Sequence, residues 1–223
     1  MKTLMSLLAA CALISGCNGM STAFVKEPVN DQAFLVHSGG PLPMLMMGTA
    51  VQWNDDYAVT VKHLPYVSGS VFKGRGDVQF FRRKAVQAPQ WRQYRPGEAV
   101  TAVGYNAFYV PMQGHGRALT AMVRLDAADG GVMYGTHDGS TVSGMSGGPV
   151  LADDGQVLGI SVAYLDKERL QKLKRTDLSS QSQVSIFLPY AEINREWKRY
   201  SAQLQAGGRK VPAPIGTEVA AAH

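Results

Sequence analysis

Cysteine is almost missing from these 223 residues: Cys11 and Cys17 are the only two. Two thiols cannot build a disulfide-dense miniature domain or a multi-cysteine zinc site. Charge is sparse as well. Asp, Glu, Lys and Arg make up 17% of the chain, and the net charge is +5. An excess this mild and dispersed forms no basic stripe of the kind nucleic acid binding needs. No apolar run is long enough for a membrane span. Leu4 to Ile14 covers 11 residues, broken by Ser6, against the roughly 20 that a spanning helix requires. What the chain does have is 45% hydrophobic residues. That is enough to bury a core, and the length suits one or two compact units.

The N-terminal run fits the apolar centre of an export signal, with Lys2 as its positive start. Ile14-Ser15-Gly16-Cys17 then resembles a bacterial lipoprotein processing site: an apolar residue, two small residues and a cysteine. The resemblance implies a signal peptide over 1–16, a lipid on Cys17 and a polar tether over 17–32. It also implies a periplasm-facing protein of the bacterial envelope. Asn18, rather than Asp, favours an outer-membrane anchor. With Cys11 removed and Cys17 acylated, no thiol pair is left for a disulfide.

From Ala33 onward, short apolar and β-branched segments alternate with Gly, Asn and Asp turns, which predicts an all-β sandwich or barrel. Gly114-His115-Gly116 reads as a loop. Ile193, Trp197, Tyr200 and Leu204 recur at helical spacing and predict one amphipathic helix over 189–205, docked as a cap. A second helical stretch is expected at 166–174, its Lys and Arg residues forming a solvated face. The Gly-, Ala- and Pro-rich stretch 206–223 is expected to be a disordered tail.

Gly144-Met145-Ser146-Gly147-Gly148-Pro149-Val150 carries the chemistry. A serine between glycines sits on a tight turn with its hydroxyl exposed. The flanking N–H groups of Gly144 and Ser146 are then free to converge on the oxyanion of an attacked carbonyl. A serine hydroxyl needs a base, and chain order restricts the choice. The only histidine after Ser146 is His223, the last residue, so the order Ser, acid, His is excluded in practice. His63, Asp77 and Ser146 run in the order His, Asp, Ser.

The surroundings of these residues resemble the trypsin-like (chymotrypsin-fold) serine proteases. Gly48–Trp53 and Tyr57–His63 resemble the paired strands leading to the catalytic histidine. Gly76–Phe81 resembles the aspartate and its strand, Gly97–Tyr105 the strand opening the second barrel, and Gly155–Ser161 the strand after the nucleophile. The resemblance implies a double β-barrel with a C-terminal helix: a trimmed N-terminal barrel over 33–83, a linker over 84–97 and a C-terminal barrel over 98–188. It implies a serine endopeptidase acting on protein or peptide substrates, with His63, Asp77 and Ser146 as the triad and Gly144 and Ser146 as the oxyanion hole. Neither metal nor cofactor is required. The substrate pocket would lie at Ser140 and Thr141 on one wall and Ser161, Val162 and Ala163 on the other.

Only 14 positions separate His63 from Asp77, fewer than is usual in that family. This leaves room for one short strand and two turns. Two other readings stay open on sequence alone: an inactive trypsin-like binding protein and a structural envelope lipoprotein.

Overall fold

The computed structural model describes residues 20–23, 32–38, 46–85, 87–125 and 130–208. The signal segment, Cys17, His223 and the 209–223 stretch lie outside them.

Asn54 shows how local chemistry starts the first half. Its Oδ1 accepts from the N–H groups of Asp56 and Tyr57 at 3.1 and 3.0 Å. This Asx turn joins β3 (Met47–Gln52) to β4 (Tyr57–Thr60). With β2 (Ala33–His37), β5 (Ser70–Lys73) and β6 (Gln79–Arg82), they form an antiparallel sheet in the order β2-β3-β4-β6-β5. Among the described residues this sheet does not close. The 13 residues between His63 and Asp77 hold β5 and two turns.

The second half does close. β7 (Ala99–Tyr105), β8 (Pro111–Val123), β9 (Tyr134–His137), β10 (Pro149–Ala152), β11 (Val157–Asp166) and β12 (Gln183–Pro189) run β8-β7-β10-β11-β12-β9. A β8–β9 pairing completes the ring. The Gly114-His115-Gly116 stretch lies inside β8 and is not a loop. Its glycines are there for close approach. A Cβ on Gly114 would stand 1.8 Å from the Ser140 carbonyl oxygen, and one on Gly116 2.2 Å from Gly139 N. Loop-forming composition therefore marks a strand over which the 138–140 backbone passes.

Two expected connectors also turn out to be structural. Within the expected tether, β1 (Thr22–Ala23) pairs with Gln113 and Met112 of β8, and Ser21 Oγ donates to the Ser140 carbonyl at 2.8 Å. Within the expected linker, Trp91 is buried at 1% exposure and donates its indole N–H to Gln52 O at 3.2 Å.

α1 (Lys167–Lys172) lies between β11 and β12, and α2 (Tyr190–Ala206) follows the last barrel strand. The predicted face of α2, Ile193, Trp197, Tyr200 and Leu204, is buried. Trp197 packs edge-on against Tyr57 and Phe80, with ring centroids 5.0 and 5.2 Å apart. Both partners belong to the N-terminal sheet. The helix thus covers the sheet that does not close on itself, and its aromatic side chains supply the apolar area that the short sheet lacks.

Candidate active site

His63 follows β4 by three residues, and Asp77 precedes β6 by two. β4 and β6 are direct neighbours, pairing Thr60 with Gln79. The ladder therefore delivers the two side chains to the same end of the sheet. The backbone N–H of His63 donates to Asp77 Oδ1 at 2.9 Å, and its ring Nδ1 lies 2.5 Å from Asp77 Oδ2. A carboxylate on Nδ1 sets the tautomer with Nε2 unprotonated. The imidazole is about half exposed and Asp77 largely covered, so the ring faces the open side with the carboxylate behind it.

The Asp77 backbone is held from outside its own sheet. Asp77 N–H donates to the phenol oxygen of Tyr134, on β9, at 2.9 Å. Two residues earlier, Arg75 N–H donates to Glu196 Oε2, on α2, at 2.9 Å. Glu196 is 2% exposed and pairs with Arg199 at 2.6 Å. The barrel and the terminal helix thus clamp the turn that a longer chain would brace with its own hairpin. Nothing in the local sequence marks Tyr134 or Glu196 for this task, since both lie more than 50 residues from Asp77.

Ser146 sits in a turn pinned on two sides. Its carbonyl accepts from Thr49 N–H of β3 at 2.9 Å. Gly147 N–H donates to Ser161 O at 2.7 Å, and Ser161 N–H to Gly148 O at 2.8 Å. Gly144 and Gly147 have φ of +98° and +87°, a region that L side chains enter at a cost. The turn also sits beside the histidine segment. A Cβ on Gly48 would be 3.1 Å from the Leu64 side chain and 3.1 Å from the Ser146 carbonyl, so the neighbour of His63 and the serine meet at one point.

The Gly144 and Ser146 N–H groups have no acceptor among the described residues, while Met145 N–H, between them, donates to Val142 O at 3.1 Å. Two unclaimed donors in one turn suit a developing negative oxygen.

The serine hydroxyl points elsewhere. Ser146 Oγ donates to the Val162 carbonyl at 3.2 Å and makes no hydrogen bond to His63. Val162 is the extra residue of a β-bulge: β11 pairs Ser161 with Phe187 and Ala163 with Ile186. The bulge takes its carbonyl out of the ladder and makes it available.

Next to Ser146 lies a cavity of about 210 Å³, lined by Thr141, Val142, Ser143, Met145, Ser161, Ala163, Tyr164 and Arg169. Ser140 is not in its lining. It packs instead against Gly114 and Ser21. Val162 contributes its carbonyl to Ser146, not a wall. The other histidines are placed apart from this site. His115 Nδ1 meets Thr101 Oγ1 at 3.0 Å, His37 packs on Tyr109, and His137 is fully buried. No group of three or more His, Cys, Asp or Glu suited to a metal occurs among the described residues.

The sequence profile of the trypsin-like peptidase domain matches residues 77–160. No curated protein sequence matches the chain. Among solved structures, the chain is similar to the active form of the Rv3671c protease from M. tuberculosis. The TM-score is 0.58 at 17% identity, covering 85% of this chain and 88% of that one. The fold is that of the trypsin-like peptidases.

Similar too are the HtrA-type protease AlgW with a tripeptide (TM-score 0.58, 15% identity, 81% of this chain and 62% of that one) and a serine endoprotease from Yersinia pestis (TM-score 0.57, 16% identity, 79% and 68%). The domain match includes Asp77 and Ser146 and begins after His63. In this trypsin-like fold His63 stands outside the matched region, and what places it beside Asp77 is their contact and the β3–β4 hairpin that leads to it.

Proposed function

We propose that the protein is a serine endopeptidase, with Ser146 as nucleophile, His63 as base and Asp77 as the group that orients it. The observation that carries the reading is the paired contact of Asp77 with both the backbone and the ring of His63. In the reaction, His63 Nε2 takes the Ser146 proton as Oγ bonds to the substrate carbonyl carbon. The carbonyl oxygen becomes an anion facing the Gly144 and Ser146 N–H groups. The C–N bond then breaks, and the amine leaves with the proton from His63. Water, deprotonated by the same nitrogen, releases the acid and restores the serine. This requires the Ser146 hydroxyl to turn from Val162 O to His63. Catalytic hydrogen bonds commonly tighten only when substrate is bound.

The orientation of Ser146 towards Val162 favours one second reading, an inactive binding protein of the same fold. One experiment separates the two. The full chain should be labelled by a fluorophosphonate probe, and Ser146→Ala and His63→Ala should both abolish labelling. A folded protein that stays unlabelled, or a label that survives Ser146→Ala, overturns the peptidase reading.

The site of action we propose is the periplasmic face of the bacterial envelope, through a lipid on Cys17, with the outer membrane favoured by Asn18. Cys17→Ser should move the protein from the detergent-extracted membrane fraction to the soluble one. Unchanged fractionation removes the anchor from the proposal.

A further inference from the structure

The cavity beside Ser146 has one charged side chain in its lining, Arg169. The backbone of this residue is held in place. Asp166 Oδ1 caps α1 by accepting from Arg169 N–H at 2.8 Å, and the adjacent Leu170 is buried at 2% exposure. Among the described residues the charged head has no hydrogen-bond or ion-pair partner. The carboxylates on the same segment are taken: Glu168 by Lys172 at 2.8 Å, Asp177 by Arg175 at 2.6 Å, and Asp166 by its capping bond. Among the described residues no carboxylate lies within ion-pair distance of the Arg169 guanidinium, and none lines the cavity.

A cation at the wall of a recess, with its local acids committed elsewhere, is left for an anion supplied from outside. The planar guanidinium fork suits a carboxylate. The remaining lining is mixed, with hydroxyls at Thr141 and Ser143 and apolar surface at Val142, Met145 and Ala163. Such a wall accepts a short methylene stem with a polar end.

We infer that the cavity takes an acidic P1 side chain, the residue on the acyl side of the cleaved bond, with Arg169 as the specificity-determining residue; this rests on the peptidase reading above. The test uses the full chain, first titrated with the fluorophosphonate probe. Peptides that differ only at P1 (Glu, Asp, Ala, Leu, Lys) are then compared by kcat/KM at low and high salt. Glu or Asp should exceed Ala, Leu and Lys by tenfold or more, and the margin should shrink with salt. Arg169→Glu should invert the order towards Lys. A labelled enzyme that cleaves neutral peptides as well as acidic ones, or none of the acidic ones, overturns the inference and leaves the peptidase reading standing. So does an Arg169→Glu variant with an unchanged order. A chain that is never labelled overturns the peptidase reading, and this inference falls with it.

Discussion

At the scale of single residues, the nucleophile turn depends on space as much as on reactivity. A Cβ on Gly147 would meet Thr49 O at 2.1 Å and Thr60 Oγ1 at 2.2 Å. Those atoms are joined by their own 2.7 Å hydrogen bond, so neither can yield cheaply. The residue also has φ of +87°. Gly147→Ala should cost about 2 kcal/mol or more of stability, by backbone strain and displacement together. It should also lower the rate of fluorophosphonate labelling, because Ser146 is adjacent. Urea denaturation and labelling kinetics check both halves, and a midpoint equal to that of the parent would refute the steric argument. The glycines around Ser146 were legible as a tight turn from sequence. The depth of the approach at Gly147 was not, since Thr49 and Thr60 come from a different sheet.

At the scale of elements, α2 has two duties. Its apolar face seals the N-terminal sheet through Trp197, and Trp197→Ala should destabilise the fold by about 3–5 kcal/mol, the usual cost of emptying a large buried aromatic site. Its Glu196 holds Arg75 N–H, two residues from the proposed triad acid. Glu196→Ala should lower kcat about tenfold with KM little changed. Glu196→Gln, whose amide oxygen still accepts from Arg75, should retain most of the activity. Equal losses in the two variants would show that the charge itself, and not the acceptor, is what matters. The helix was legible from its 3.6-residue period. Which surface it covers was not, because periodicity gives the face of a helix and not its partner. β8 was misjudged in part for a related reason. Glycine in a strand reports contact with a distant backbone, here residues 138–140, and composition alone reads it as a turn.

At the scale of the whole molecule, the barrel interior holds one titratable group that sets a pH limit. His137 on β9 is fully buried, and neither ring nitrogen has a hydrogen-bond partner among the described residues. Burial lowers its pKa from 6.5 to about 4, against a smaller opposing pull from Asp138. The native state therefore keeps this imidazole neutral while the unfolded chain protonates it below pH 6.5. Stability is undiminished above that pH and is lost as pH falls from 6.5 towards 4, by roughly 3 kcal/mol for 2.5 pH units. Denaturation midpoints recorded through that window should fall steadily. His137→Leu, which has nothing to protonate, should flatten that part of the curve. A parent protein whose midpoint is constant between pH 6.5 and 4 would refute this account of His137.

By itself, the sequence determined that the chain is mostly β, that a helix covers Ile193 to Leu204, and the order His63, Asp77, Ser146 with its glycine-rich turn. These are properties of neighbours along the chain: alternation, helical period and turn chemistry act over a few residues and need no knowledge of what lies opposite. The tertiary structure alone decided that one strand set closes and the other is covered by α2. It decided too that Tyr134 and Glu196 brace Asp77 in place of a longer hairpin, and that Arg169, not Ser140, reaches the cavity. Each of these is a contact across many tens of residues. Its energy depends on where the two partners come to lie once the core has packed, and no local pattern encodes that.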